Sequence, residues 1–217
     1  MKRVPWTLVL VYLACGVLAI AGHELHHKPL EAVFKPLTTI LLCGFIARPW
    51  GRFQTLVICG VLLSVVGDVA LLWGSQTAFA VGLGGFLLAH VSYIAGFVGV
   101  GKTSPRVAVV GVIFMATMVF LLKTLWPYVG PLRIPVIIYA SAITTMVTTA
   151  WSTPGGRLTW GWPAAIGAVL FYISDSSLSV ETFLPGDIPH ASFLTMGVYW
   201  LGQLGIVLAA RSGMRPS

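Results

Sequence analysis

The sequence predicts an all-α, polytopic membrane protein, a helical bundle of eight transmembrane helices that forms a single transmembrane domain over residues 1–217. Two observations favour this class. Only 9% of the residues are charged and 57% are apolar, whereas a soluble domain has about 25% charged residues. The apolar residues also fall in blocks of roughly 15 to 23, close to the length that crosses a bilayer. So few charges cannot cover a water-exposed surface, and we expect lipid to solvate the chain.

The predicted spans follow one another through short polar joints that are rich in Gly, Pro and Arg. Most are long enough to cross the hydrocarbon core, and only the second, at about 15 residues, is short for a full crossing. Two explanations stay open for it, a tilt in a thin region of the bilayer or an extension back through Leu30. The joints between spans lie at residues 23–32, 48–53, 74–77, 101–106, 127–133, 152–159 and 181–190. The spans themselves are residues 5–22, 33–47, 54–73, 78–100, 107–126, 134–151, 160–180 and 191–210.

The N-terminal segment has a second interpretation. Lys2 and Arg3 precede an apolar run that ends in Ala19, Ile20 and Ala21, and this pattern also resembles a signal peptide with its cleavage site. The run of about 18 residues is long for a signal-peptide core. Retaining it gives an even number of spans with both termini on one side. We therefore count it as the first helix, and cleavage stays an open alternative.

The basic residues predict an orientation, because cytoplasmic joints of membrane proteins are enriched in Lys and Arg. Nine basic residues lie on the N-terminal side of the predicted bundle and four on the other. Both termini are therefore expected in the cytoplasm of a multi-pass cell membrane protein, with a bacterial inner membrane as the expected location. The net charge is +7. The basic residues occur singly or in pairs at the ends of the apolar blocks, so no nucleic-acid partner is predicted. The nine are Lys2, Arg3, Arg48, Arg52, Lys102, Arg106, Arg157, Arg211 and Arg215, and the four are Lys28, Lys35, Lys123 and Arg133.

A faint internal repeat occurs at an offset of 107 residues. Gly60 and Asp68 recur as Gly167 and Asp175, among other matches. Spans three and four would then correspond to spans seven and eight, which would make two parallel halves of four helices.

Four charged residues lie within predicted spans, where an unpaired charge costs at least about 2.5 kcal/mol; one of them, Lys123, is near a helix end, and three remain. Asp68 and Asp175 each lie five residues before the outer end of their span, and Lys35 begins the second span. They are thus expected at one depth on three helices. A structural ion pair would explain one lysine and one aspartate, but one lysine cannot neutralise two carboxylates. The pattern favours a functional site with Asp68 and Asp175 as its acid and base.

Other polar residues are expected deeper in the same bundle. Tyr199 and Gln203 are four residues apart and therefore share one helix face. Hydrogen bonds between helices are the alternative explanation for such residues, and it stays open for His90 and Gln203. The set comprises His90, Tyr93, Tyr172, Ser174, Tyr199 and Gln203.

One motif match suggests a metal. Residues 23–27 (HELHH) satisfy the H-E-x-x-H zinc pattern, in which two histidines one helical turn apart bind the ion. The segment directly follows the first span, and Pro29 is expected to end any helix there. No distant third-ligand motif accompanies it. We therefore predict neither a metal nor another cofactor, although binding at His23, Glu24 and His27 stays open.

Five short segments together resemble the YhhN family of integral membrane proteins, which includes the lysoplasmalogenases. They extend in order from the second span to the eighth. The resemblance does not cover the first span well, and residues 23–27 are not part of it. The segments are residues 35–39 (KPLTT), 67–72 (GDVALL), 86–94 (FLLAHVSYI), 167–176 (GAVLFYISDS) and 199–203 (YWLGQ).

The resemblance implies a membrane-embedded hydrolase. Its substrate would be a lysoplasmalogen, a lysophospholipid whose vinyl ether bond is cleaved to give a fatty aldehyde and glycerophosphoethanolamine or glycerophosphocholine. Vinyl ethers are cleaved by protonation of carbon, so the reaction needs an acid and a nearby anion. Asp68 and Asp175 would divide these roles in an order that the sequence leaves open. The alternative is a small transporter that uses the intramembrane Lys and Asp groups as a proton relay.

The remaining polar residues would then bind substrate. Lys35 would keep one aspartate ionised or bind the substrate phosphate, and the others would line the pocket into which the alkenyl chain enters. Membrane lipid is the other expected partner, and the oligomeric state is open. The expected substrate-binding residues are Lys35, His90, Tyr93, Ser174, Tyr199 and Gln203.

Overall fold

Eight α-helices make up most of the described chain. The structure is a computed structural model and describes residues 5–46, 51–186, 191–212 and 214. Short 3₁₀ helices follow α2 at Leu42–Phe45, precede α6 at Gly130–Leu132 and follow α6 at Thr153–Gly155. The α-helices are α1 (Trp6–Glu24), α2 (Lys28–Leu41), α3 (Arg52–Leu71), α4 (Gln76–Val100), α5 (Pro105–Leu125), α6 (Arg133–Ala150), α7 (Trp162–Phe183) and α8 (Ala191–Arg211).

The predicted all-α membrane architecture is confirmed. Seven of the described helices, all except α2, are long and apolar enough to cross a membrane. Each of these seven begins and ends within three residues of its predicted span. The agreement follows from the bilayer itself, since a lipid-exposed backbone must satisfy its hydrogen bonds within one continuous helix.

Helix α2 departs from its predicted span, residues 33–47. It begins five residues earlier, at Lys28, because His27 Nδ1 accepts a hydrogen bond from Leu30 N at 3.2 Å and Pro29 occupies the first turn, where proline is favourable. The expectation that Pro29 ends a preceding helix is therefore wrong, since α1 has already ended at Glu24. At roughly 21 Å, α2 is shorter than the hydrocarbon core.

Apolar side chains cover the outside of the bundle. Val112, Phe120 and Ile134 are 70 to 72% exposed, which would be unfavourable in water and is expected in contact with lipid. Conversely, polar side chains occupy the interior. Those that are at most 1% exposed are Thr38, Thr39, Ser64, Asp68, His90, Thr153 and Gln203.

Glycines let two pairs of neighbouring helices approach closely. A Cβ atom added to Gly85 of α4 would lie 2.9 Å from the backbone N of Gly67 in α3. A Cβ atom added to Gly167 of α7 would lie 2.5 Å from the carbonyl O of Gly202 in α8. Small residues at such positions allow backbones to touch. In the α3–α4 and α7–α8 pairs the close contact restricts how the two helices can shift or rotate against each other. Each pair carries one of the two aspartates.

Replacing Gly167 by Ala is expected to destabilise the protein by about 1 to 3 kcal/mol, because two backbones must separate to admit the methyl group. The thermal unfolding midpoint of the purified protein in detergent measures the effect. Gly197→Ala in α8 is the matched control, since a Cβ atom there has nothing within 4 Å. Equal unfolding midpoints for the two variants would contradict the close approach.

Several predictions concern residues outside the described part of the chain. Nine basic residues predict that the N-terminal side is cytoplasmic. Four of the nine lie outside the described residues, namely Lys2, Arg3, Arg48 and Arg215. The orientation and the 107-residue repeat stay predictions.

Candidate active site

A cavity of about 520 Å³ opens at one end of the bundle, where α2, α4 and α8 begin and α3 and α7 end. The three charged residues expected at one depth, Lys35, Asp68 and Asp175, all line it. Tyr199 and Ser174 line it as well. Helix packing therefore places five of the predicted site residues on the wall of one cavity. These five residues come from four helices.

Asp68 is surrounded by hydrogen-bond donors. Its carboxyl is 1% exposed, and Oδ2 accepts from Thr39 Oγ1 at 2.5 Å and from Tyr199 OH at 3.1 Å. Thr39 Oγ1 itself accepts from Trp200 Nε1 at 3.2 Å, so the only hydroxyl proton of Thr39 points to the carboxyl. Both hydrogen bonds end on the same carboxyl oxygen, and hydrogen bonds of this kind favour the ionised form of a carboxyl group.

A second layer of polar side chains fixes the direction of these hydrogen bonds. Gln203 Nε2 donates to Tyr199 OH at 3.3 Å and to Ser64 Oγ at 2.8 Å, while Gln203 Oε1 accepts from Tyr93 OH at 2.6 Å. Because Tyr199 accepts from the amide, its own proton is directed to Asp68. Tyr93 and Gln203 are fully buried and act on Asp68 through Tyr199.

Asp175 has different surroundings. Its Oδ2 accepts from Tyr139 OH of α6 and lies 3.3 Å from His90 Nε2 of α4. The same imidazole nitrogen lies 3.0 Å from Tyr139 OH. His90 is fully buried, and its Nδ1 has no hydrogen-bond partner among the described residues. Asp175 is thus in contact with an imidazole and a phenol, whereas Asp68 accepts from the hydroxyls of a threonine and a tyrosine.

An apolar slot of about 80 Å³ lies beside the polar cavity, between α4, α5, α6 and α7. Leucine side chains line it, three of them from α5 and one each from α3, α4 and α7. Asp175 lines both the slot and the polar cavity, whereas Asp68 lines only the polar cavity. The Asp175 carboxyl therefore lies at the boundary between a space suited to a hydrocarbon chain and a space suited to a polar group.

Lys35 interacts with more than one acid of the cavity. Its Nζ lies 4.0 Å from Glu31 Oε1, and its charge also acts on Asp68. Glu31 Oε1 lies 3.0 Å from His23 Nδ1. This hydrogen bond lowers the pKa of Glu31, which is in the first turn of α2 and outside the seven membrane-spanning helices. Glu31 is therefore a partner for Lys35 that the sequence analysis did not identify.

The zinc-like segment is divided between two helices. His23 and Glu24 end α1, and His27 caps α2, so the helical spacing that the motif requires is broken. Within the ranges that the structure describes, no group of three or more His, Cys, Asp and Glu side chains is arranged to hold a metal ion.

Two contacts of the aspartates were not predicted. Thr39 lies four residues after Lys35 and so on the same helix face, a spacing that could have identified it. Tyr139 is a lone phenol in an apolar span and carries no such signal. Only the packing of α6 against α4 and α7 brings it to Asp175. Of the predicted residues, Ser174 donates to the carbonyl O of Thr195 at 2.9 Å and so links α7 to α8.

Known proteins resemble the chain over most of its length. The model of the YhhN family matches residues 30–210. A Mycobacterium bovis protein named lysoplasmalogenase is 35% identical over 201 residues, covering 88% of this chain and 73% of the relative. The human protein named lysoplasmalogenase TMEM86B is 30% identical over 181 residues, covering 82% of this chain and 74% of the relative. No solved structure matches the chain significantly.

Proposed function

The chain belongs to the YhhN family, and from this premise we propose that it hydrolyses the vinyl ether bond of lysoplasmalogens. The products are a fatty aldehyde and a glycerophospho head group such as glycerophosphoethanolamine or glycerophosphocholine. Relatives from a bacterium and from humans carry the name lysoplasmalogenase, which supports this substrate class.

The position of Asp175 carries the proposal. A lysoplasmalogen has a hydrocarbon chain, a polar head group and the vinyl ether between them. With the chain in the apolar slot and the head group in the polar cavity, the vinyl ether lies where the two spaces meet, and Asp175 is the acidic residue among those that line both. The architecture of the site therefore matches the order of groups along the substrate.

The two carboxyls are suited to different roles. Asp175 borders the slot, where the alkenyl carbons would lie, and we assign it as the general acid that protonates carbon. Asp68 accepts hydrogen bonds from two hydroxyls, and hydrogen bonds donated to a carboxylate favour its ionised form. We assign it as the carboxylate that stabilises the developing cation and takes a proton from water.

The assignment gives a balanced sequence of proton transfers. Asp175 donates its proton to the vinyl carbon β to oxygen, which leaves an oxocarbenium ion. Water adds to the α carbon while Asp68 accepts its proton, and a hemiacetal forms. The Asp175 carboxylate then removes the hemiacetal hydroxyl proton, and protonated Asp68 donates to the glycerol oxygen as the C–O bond breaks. Aldehyde and glycerophospho alcohol leave, and both carboxyls return to their starting states.

Product analysis with two matched lipids tests the proposed function. We expect the purified protein to release aldehyde from an alkenyl-glycerophosphoethanolamine and nothing from the saturated ether with the same chain. A saturated ether cannot form the oxocarbenium ion by protonation at carbon, so this difference is specific for vinyl ether chemistry. Binding or transport of the alkenyl lipid without aldehyde release would contradict the proposal and favour the transporter alternative.

We also propose where the protein resides and how it lies there. A bacterial inner membrane is the proposed location, with both termini in the cytoplasm, one transmembrane domain over residues 1–217 and the cavity opening on the outer side. The excess of Lys and Arg on the N-terminal side supports this orientation. The substrate would then enter from the outer leaflet, with surrounding membrane lipid as the other partner.

A further inference from the structure

Glu181 lies on the wall of the polar cavity, farther along α7 than Asp175. Asp175, Leu178 and Glu181 are spaced by three residues, and all three line the cavity. Six residues of α-helix place Glu181 about 9 Å beyond Asp175 along the helix axis. An extended glycerophosphoethanolamine group covers a distance of this order. A head group whose ether oxygen lies at Asp175 therefore reaches Glu181.

The carboxyl of Glu181 is held in place at the end of its helix. Thr195 Oγ1 of α8 donates to Glu181 Oε1, and the carbonyl O of Thr195 accepts from Ser174 Oγ of α7 at 2.9 Å. Glu181 also lies in the last turn of α7, which ends at Phe183. The C-terminal end of a helix carries a partial negative charge that disfavours a carboxylate and favours a cation. This position suits a bound positive group.

The cavity also has a positive side chain on a different wall. Lys35 comes from α2, whereas Glu181 comes from α7, and both line the cavity. In this cavity the phosphate of a zwitterionic head group can pair with Lys35, and its ammonium can pair with Glu181. A head group that ends in a bare phosphate has no positive charge to place against Glu181 and would be repelled by it.

We propose that Glu181 binds the ammonium group of a zwitterionic head group and so makes the enzyme selective for ethanolamine or choline head groups over an anionic glycerophosphate. This inference rests on the proposed function for the identity of the substrate. Lys35 binds the phosphate in this arrangement, and Thr195 positions the carboxyl of Glu181.

Kinetics with three lipids of one alkenyl chain test this role. For Glu181→Gln we expect KM to rise about tenfold with ethanolamine and choline head groups. The ethanolamine ammonium loses a charge-assisted hydrogen bond, and the quaternary ammonium of choline, which has no N–H, loses a close ion pair. Turnover should stay nearly unchanged, since the lost interaction is the same in the ground state and the transition state. With alkenyl-glycerol phosphate, KM should stay the same or fall. Glu181→Asp should restore part of the preference.

Two further variants separate binding from a structural effect. Glu24→Gln makes the same chemical change at the end of α1, outside the cavity lining, and should leave all three KM values unchanged. Thr195→Val should raise KM for the zwitterionic lipids less than Glu181→Gln does. An equal rise in KM for all three lipids in Glu181→Gln, or no rise for any of them, would overturn the proposal.

A binding experiment keeps this inference separate from the proposed function. Saturated ether lipids with a phosphoethanolamine or a phosphate head group undergo no vinyl ether cleavage, and tryptophan fluorescence can report their Kd. We expect Glu181→Gln to weaken binding of the phosphoethanolamine lipid about tenfold and not that of the phosphate lipid. If the wild-type protein released no aldehyde, the proposed function would fail, and these Kd values would still decide whether Glu181 binds ammonium.

Discussion

Replacing Asp175 by Asn is expected to lower kcat for aldehyde release by a factor of at least about 10³. General acid catalysis contributes about 10² to 10⁴ to a rate, and protonation of carbon is the step from which the whole reaction follows. Asn has nearly the same shape and can still accept a hydrogen bond from Tyr139. The substrate should therefore bind nearly as well as before. Initial rates of aldehyde formation, with KM determined separately, measure the effect.

The control for Asp175→Asn is a variant that replaces a carboxylate by an amide outside the cavity. Glu24→Gln lies outside the cavity lining and should retain wild-type turnover. An unchanged thermal unfolding midpoint of Asp175→Asn would show that the fold is intact. A folded Asp175→Asn protein that turns over within about tenfold of wild type would refute the assignment of Asp175 as the acid.

Replacing Asp68 by Asn is expected to lower kcat by about 10² to 10³, because the developing cation loses its anion and the attacking water loses its base. The amide oxygen can occupy the Oδ2 position and still accept from Thr39 and Tyr199, but the amide NH₂ then needs an acceptor at a site that is 1% exposed. A buried donor without an acceptor costs about 1 to 3 kcal/mol, so the unfolding midpoint should fall as well. Steady-state kinetics and thermal unfolding measure the two effects.

Deuterium exchange distinguishes the roles of the two carboxyls. In D₂O, Asp68→Asn retains the acid of Asp175 and should add deuterium to the vinyl carbon reversibly, so recovered substrate becomes labelled. Asp175→Asn lacks the acid, and its recovered substrate should carry no label. Mass spectrometry of the unreacted lipid measures the label. Labelling by Asp175→Asn but not by Asp68→Asn would reverse the two assignments.

The two hydroxyls that donate to Asp68 can be removed one at a time. Thr39→Val and Tyr199→Phe each remove one hydroxyl that donates to the carboxyl. Each should reduce turnover less than Asp68→Asn does, because one donor remains. These losses should also be non-additive, since both hydroxyls act through the same oxygen.

The candidate site was partly predictable because charge is costly in lipid. Asp68, Asp175 and Lys35 were identifiable as three ionisable groups in apolar spans, and the structure places all three on one cavity. The donors around them were harder to identify. Thr39 has a spacing signal relative to Lys35, whereas Tyr139 resembles any aromatic residue of an apolar helix. Nothing local marks Glu181 as a cavity residue, because it follows a predicted span and could equally face water.

The sequence alone determined the class, the number of helices and most of their bounds, because the bilayer imposes length and apolarity on each span separately. The start of α2 was not predicted from apolarity, because it depends on the N-cap in which His27 Nδ1 accepts a hydrogen bond from Leu30 N. Only the tertiary structure decided which side chains meet. The rotation of each helix and its approach to its neighbours, at contacts such as Gly167 with Gly202, depend on residues far apart in the chain. Those contacts place Asp68 among hydroxyls and Asp175 between a polar cavity and an apolar slot.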